Sequence, residues 1–213
     1  MDGIPFDKGK FLLYQMKQVF HSMEAPNREP TANGRGPGER GVRWEHPEPE
    51  WHVLNTDGAS KGVSGRAGAG GVVRGDHGEW IVGFSEQLGV CSAIQAELRA
   101  VLRGLRIARE MGLRKLWIQV DSMVVVTLLS TSDLRFSAYH GILQQCKILL
   151  AWGYWETRVT HCFREANQVA DKLANLGIEG NLGVTMYPTP PREVREALFS
   201  DRMGVVWPRQ LQS

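Results

Sequence analysis

From Trp51 to about residue 180, short apolar runs alternate with punctuation by glycine, proline and charge; the flanking stretches lack this rhythm. "WHVLNTD", "GAGGVVRG" and "EWIVGFSEQLG" read as three short strands. "RGDHGEW" supplies the hairpin turn between the second and third, with Asp76 and Gly78 as turn residues. The period then lengthens to that of a helix. "SAIQAELRAVLRGLRIAREMG" puts Leu98, Val101, Leu102, Leu105 and Ala108 on one stripe, with Ser92 as N-cap and Gly112 closing the helix. A strand "KLWIQVD", helical segments over 122–129 and 137–151, a strand "YWETRVTHCF" and a last helix "EANQVADKLANLGIEG" follow. Three hairpin-linked strands followed by strands alternating with helices predict an α/β fold, a mixed sheet covered by helices.

The flanks divide the rest of the chain. Residues 1–23 contain "FLLYQMKQVFHSM", which spaces Leu12, Met16, Val19, Phe20 and Met23 as a short helical segment. Residues 24–50 are rich in proline, glycine and charge and read as a disordered linker to a domain over 51–180. Residues 181–213 carry four prolines and the short "PREVREALFSDRMG", and are expected to form an appendage. The composition, 42% apolar and 23% charged, is that of a globular domain, and no apolar run approaches the length needed to span a bilayer. Cys91, Cys146 and Cys162 form no CxxC pair, so neither disulfides nor a zinc site is expected, and an intracellular setting, nuclear or cytoplasmic, fits. Cys146 reads as a small packed hydrophobe. A net charge of +2 neither marks nor excludes a nucleic-acid binder.

Four acids occupy positions that apolar elements ordinarily avoid. Asp57 follows the strand Val53–Thr56 and precedes Gly58. Glu97 lies on the edge of the apolar stripe of its helix, one turn before Val101, whereas Arg99, Arg103 and Arg106 fall on the opposite, solvated face. Asp121 ends "LWIQV"; it is either the N-cap of the next helix or a ligand. Asp171 sits near the stripe of Val169, Leu173 and Leu176, either as a marginal surface acid or as a fourth ligand. Ligands in open α/β sheets gather beyond the carboxyl ends of strands. Four carboxylates meeting there repel one another unless cations join them, and oxygen-only ligands select a hard cation such as Mg²⁺ or Mn²⁺. Position and ligand type together suggest a two-metal hydrolytic centre.

"NTDGAS", "QAELRAV", "VDSMVVV" and "REANQVADKLAN", in this order, resemble the type 1 ribonuclease H domain, in particular its plant retrotransposon-derived branch associated with non-LTR reverse transcriptases. The resemblance covers roughly residues 51–180. It implies a five-stranded mixed sheet, three antiparallel strands and then parallel ones, flanked by helices. It implies an endonuclease that cuts the RNA strand of RNA/DNA hybrids, and it makes Asp57, Glu97, Asp121 and Asp171 both catalytic residues and ligands of two Mg²⁺ ions, with Mn²⁺ as a substitute. A metal-activated water would attack phosphorus in line. Ser92, Arg164 and Asn167 become substrate-binding candidates, an RNA/DNA hybrid the partner, and a monomer the expected state. The glycines of "GRAGAGG" suit close backbone approach, or plain turn chemistry.

The chain also departs from that pattern. Ala93 and Ile94 stand where some members carry two asparagines. The loop "FREANQVAD" lacks the histidine that many bacterial members place there, and His161, upstream in the strand, reads as structural. "SDLRFSAYHG" replaces a basic protrusion with a single arginine. Three readings follow: an active nuclease, a nucleic-acid-binding module descended from one and weak or inactive, and an interaction domain without a nucleic-acid partner.

Overall fold

A computed structural model describes residues 41–61, 65–131 and 138–209; the expected helix over 1–23 and the linker up to residue 40 lie outside them. The described chain runs β1 (Gly41–Val42), β2 (His52–Lys61), β3 (Arg66–Arg74), β4 (Trp80–Val90), α1 (Ala93–Glu110), β5 (Lys115–Val120), α2 (Met123–Ser130), α3 (His140–Leu150), β6 (Glu156–His161), α4 (Gln168–Glu179), β7 (Gly183–Tyr187), α5 (Arg195–Arg202) and β8 (Trp207–Pro208). A short 3₁₀ turn, Arg164–Ala166, leads into α4.

The main sheet has the order β6-β5-β2-β3-β4-β7. β2, β3, β4 and β7 pair antiparallel in sequence, whereas β5 and β6 join parallel beside β2. Side-chain alternation sorts the core into two layers. On one face Leu54, Val73, Leu116 and Ile118 meet α1 through Leu98, Val101 and Leu105, and α2 and α3 through Val125 and Leu143. On the other, Val72 meets Val169 and Leu173 of α4 and Leu198 of α5. Cys146 is buried in the first layer as a small hydrophobe, and burial pushes its thiol up to about 12. Among the described residues no helix is long and apolar enough to cross a membrane.

Three features differ from the sequence expectation. The sheet has six strands rather than five, because β7 adds to the free edge of β4 through Gly83↔Tyr187 to Glu86↔Val184. Residues 183–187 are therefore part of the main sheet and not of an appendage. The linker reading also ends too late: Val42 and Trp44 are buried, and β1 pairs with β8.

Arg74, a fully buried arginine, links both flanks to the sheet. Its guanidinium donates to Asp201 of α5 at 2.7 Å and to Asn55 Oδ1 at 2.8 Å. The Trp44 ring lies 4.0 Å away. Trp44 Nε1 donates to the same Asn55 oxygen at 3.1 Å, and Asn55 Nδ2 donates to Gln119 at 2.8 Å. A buried charge is tolerated only when paired and hydrogen-bonded, and here two of the partners, Trp44 and Asp201, come from segments that composition alone assigns to solvent.

Candidate active site

Asp57 and Asp121 are brought side by side by strand register. The parallel ladder between β2 and β5 ends at Thr56↔Val120, and each acid is the next residue along its own strand. Asp57 does not end β2 as expected: the strand continues to Lys61, because Gly58 to Lys61 still pair with β3 after β5 has stopped. Nor does Asp121 cap α2. Ser122 is the N-cap and accepts from Val125 N at 3.4 Å, which releases the Asp121 carboxylate for other work.

Glu97 reaches them from above. A Cβ at Gly58 would lie 2.1 Å from the Glu97 backbone nitrogen, so the missing side chain is what lets α1 rest on β2 with Glu97 beside Asp57. Gly70, paired with Asp57, does the same on the other face, where a Cβ would lie 2.1 Å from Ala174 N of α4. The close-approach reading of "GRAGAGG" therefore holds at this glycine. Asp57, Glu97 and Asp121 each offer one carboxylate oxygen, and these three oxygens lie within 4.8 Å of one another.

Asp171 stands slightly apart, outside that group of three. It lies in the first turn of α4, where the helix dipole favours an acid, and its charge still acts on both Asp57 and Asp121. The four acids inferred from the sequence thus come together as three in mutual reach and one beside them.

The electrostatics are those of crowded acids. Burial, followed by the charges of Asp121 and Asp171, pushes the Asp57 carboxyl up to about 7. Burial, followed by Asp57 and Asp121, pushes Glu97 up to about 9. Asp121 is raised too, chiefly by burial, against the pull of Arg164. Glu97 Oε2 is shielded from solvent and has no hydrogen-bond partner. One orphaned oxygen among mutually repelling carboxylates, with no buried cation beside them among the described residues, marks a donor set that a hard divalent ion satisfies. The residues present fit such an ion.

These shifts set a pH dependence for the metal-free protein. In the unfolded chain both carboxyls titrate near about 4, so the folded state holds its protons to higher pH. Stability contributed by these groups is full below about 4. It falls as pH rises, through about 7 for Asp57 and about 9 for Glu97. At about 1.4 kcal/mol per unit, several kcal/mol are at stake. Urea unfolding in a chelator should show lower stability at about pH 9 than at about pH 5, and Mg²⁺ should reverse much of the loss. A flat profile unaffected by Mg²⁺ would count against the site.

The substrate-binding candidates divide. Ser92 is exposed at the start of α1, as expected, and caps it by accepting from Gln95 N at 3.3 Å. Arg164 is exposed and sets its Nε 3.9 Å from the Asp121 carboxylate. Asn167 is fully buried and cannot touch a substrate; its Nδ2 donates to the Thr56 carbonyl at 2.9 Å, fastening the start of α4 to the residue before Asp57. His161 Nε2 donates to the Asp121 carbonyl at 3.1 Å. The arginines of α1 are less free than a solvated face implies: Arg103 grips Glu86 with two bonds of 2.9 Å, and Arg106 bonds Gln145 at 2.6 Å. The roles of Gly58 and Ser122 were missed, although a glycine directly after an acid and a serine directly before a helix were both visible signals.

Comparison with known proteins agrees with this architecture. Residues 55–177, a span that includes all four acids, match the family described as reverse transcriptase-like. An Arabidopsis thaliana protein bearing a ribonuclease H name is 39% identical over 181 residues, or 82% of this chain, which spans only 28% of that relative's length. The N-terminal RNase H domain of a Mycobacterium tuberculosis protein, solved as a fusion with maltose-binding protein, has a TM-score of 0.56 at 27% identity, covering 61% of this chain and 94% of that one. RNase H1 of the halophilic archaeon Halobacterium salinarum has a TM-score of 0.55 at 27% identity, covering 61% and 98%. With its sheet order, its acids at the end of the parallel ladder and this match in hand, the chain belongs to the reverse transcriptase-like family and has the ribonuclease H-like fold.

Proposed function

We propose that the domain is a divalent-metal-dependent endonuclease that hydrolyses the RNA strand of RNA/DNA hybrids. The observation that carries this reading is the convergence of Asp57, Glu97 and Asp121 within 4.8 Å, with Asp171 acting on two of them. The ribonuclease H names of its relatives support the substrate. Two Mg²⁺ ions held by these acids would supply a water activated near neutral pH and charge stabilisation for the leaving oxygen. The chain's own residues do the rest. The acids concentrate negative charge that a bound metal cation relieves, Asn167 and Gly58 hold the elements that carry them, and Arg164 places a positive charge at the rim beside Asp121. Preference for a hybrid over duplex DNA would rest on contacts to ribose 2′-hydroxyls and on groove shape.

A second reading is favoured by one feature. The first turn of α1 presents Ala93 and Ile94, which offer no side-chain hydrogen bonds to a groove. A domain weakened there would bind nucleic acid and cut slowly or not at all. Incubation of an end-labelled RNA/DNA hybrid with the protein in Mg²⁺, Mn²⁺ or chelator separates the two. Cleavage of the RNA strand is expected with either ion and none in chelator; binding without cleavage in both ions would leave the binding module.

A further inference from the structure

The rim on the Asp121 side is built partly from the far end of the chain. β8 packs on the 3₁₀ turn Arg164–Ala166 and is held there by its ladder with β1, Gly41↔Pro208 and Val42↔Trp207. The ladder is tight: a Cβ at Gly41 would lie 2.1 Å from Val206 Cγ1. Arg209, the next residue after β8, sets its guanidinium 4.6 Å over the ring of Phe163. That ring remains 39% exposed and stands edge-on to His161 at 5.6 Å. Arg164, the neighbour of Phe163, keeps 73% of its side chain exposed beside the Asp121 carboxylate. Among the described residues no carboxylate pairs with Arg209.

An acidic centre repels the polyanion it has to hold, so cations must sit at its edge. A guanidinium lying on an aromatic face is oriented by the ring, while its N–H fork stays free for bidentate contact with a phosphate. Phosphate contacts of this kind fix the position of a nucleic acid without reading its sequence. We propose that Arg209, stacked on Phe163, and Arg164 form a phosphate-gripping rim that holds the backbone of the nucleic acid beside the acidic centre. The proposal rests on the nuclease reading and adds a contact from a segment outside the matched residues 55–177.

The test uses the full chain carrying Asp57→Asn as parent, so that the probe, a fluorescent RNA/DNA hybrid, is not consumed. Binding is followed by anisotropy across a salt series. Adding Arg209→Gln should weaken binding about threefold to tenfold at low salt and lower the slope of log Kd against log salt by about 0.7–0.9, the signature of one lost phosphate contact. Arg209→Lys should keep most of the slope. Phe163→Leu should weaken binding with little change of slope, because it removes the platform and not the charge. If Arg209→Gln leaves slope and affinity unchanged, the proposal is overturned; a lowered melting temperature alone would make Arg209 only an anchor of the β1–β8 ribbon, with the same consequence. If the parent does not bind the hybrid at all, the nuclease reading itself fails and this inference goes with it.

Discussion

Replacing Asp57 by Asn is expected to abolish hybrid cleavage while leaving hybrid binding largely intact. Asn keeps the shape of the side chain and removes one of three carboxylates whose oxygens lie within 4.8 Å. Loss of a shared ligand weakens the hold on divalent ions, and metal assistance is worth several kcal/mol of transition-state stabilisation. At about 1.4 kcal/mol per tenfold, a loss of roughly a thousandfold or more in rate follows. Binding comes mostly from phosphate contacts outside the acids and should fall with added salt in both proteins. The same change relieves Glu97, whose carboxyl is raised by burial first and by Asp57 next. In chelator, therefore, the variant should be more stable than the wild type at about pH 8, where the wild-type acids repel. Cleavage rates, Mg²⁺ binding by calorimetry and urea unfolding would be measured side by side. A variant that still cuts at wild-type rate removes Asp57 from the centre. A wild type and variant that bind alike, with neither cutting, leave the binding module.

The largest expected loss of stability comes from a residue outside the acids. Arg74 and Asp201 pair at 2.7 Å with side-chain exposures of 0% and 2%. Burial raises the Asp201 carboxyl, and Arg74 works against that rise. Arg74→Met strands the acid in a medium that does not solvate it, at about 3–5 kcal/mol. Against a typical total of about 5–15 kcal/mol this is a large share. The double variant Arg74→Met with Asp201→Leu should recover most of the loss, since well-packed apolar replacement of a buried pair is often neutral. Asn55 Oδ1, which also loses Arg74, keeps the Trp44 donor at 3.1 Å. Urea unfolding of wild type, single and double variants checks this; a double variant no more stable than the single would show that the pair is not what holds the flanks. Because Asn55 and Gln119 bond two residues before Asp57 and Asp121, loosening this network is expected to reduce Mg²⁺ affinity as well.

Much of this molecule follows from local pattern. The period-two runs, the 3.6-residue stripe of α1, the Ser92 cap and the Gly112 stop are set by backbone preference and by which side chains must leave water, and each is legible within a dozen residues. The four acids stood out for the same reason, since an acid at the margin of an apolar stripe or at the end of an apolar strand is costly unless it has a purpose. Order and spacing then carried the resemblance to ribonuclease H, and with it the fold.

What only the tertiary structure decided is pairing between segments far apart. Whether Asp121 capped its helix depended on Ser122 taking that role, and whether Asp57 ended β2 depended on β3 outrunning β5. Asn167 looked available to a substrate until burial placed it on the Thr56 carbonyl, 111 positions back in the chain. Residues 41–50 and 181–209 looked like solvent-facing flanks because glycine, proline and charge dominate them locally. Yet the partners of the buried guanidinium of Arg74 include Trp44 from one flank and Asp201 from the other. Hydrophobic periodicity reports which face of an element is buried; it does not report which distant residue will satisfy a charge on that face, because that pairing exists only once the chain has closed on itself.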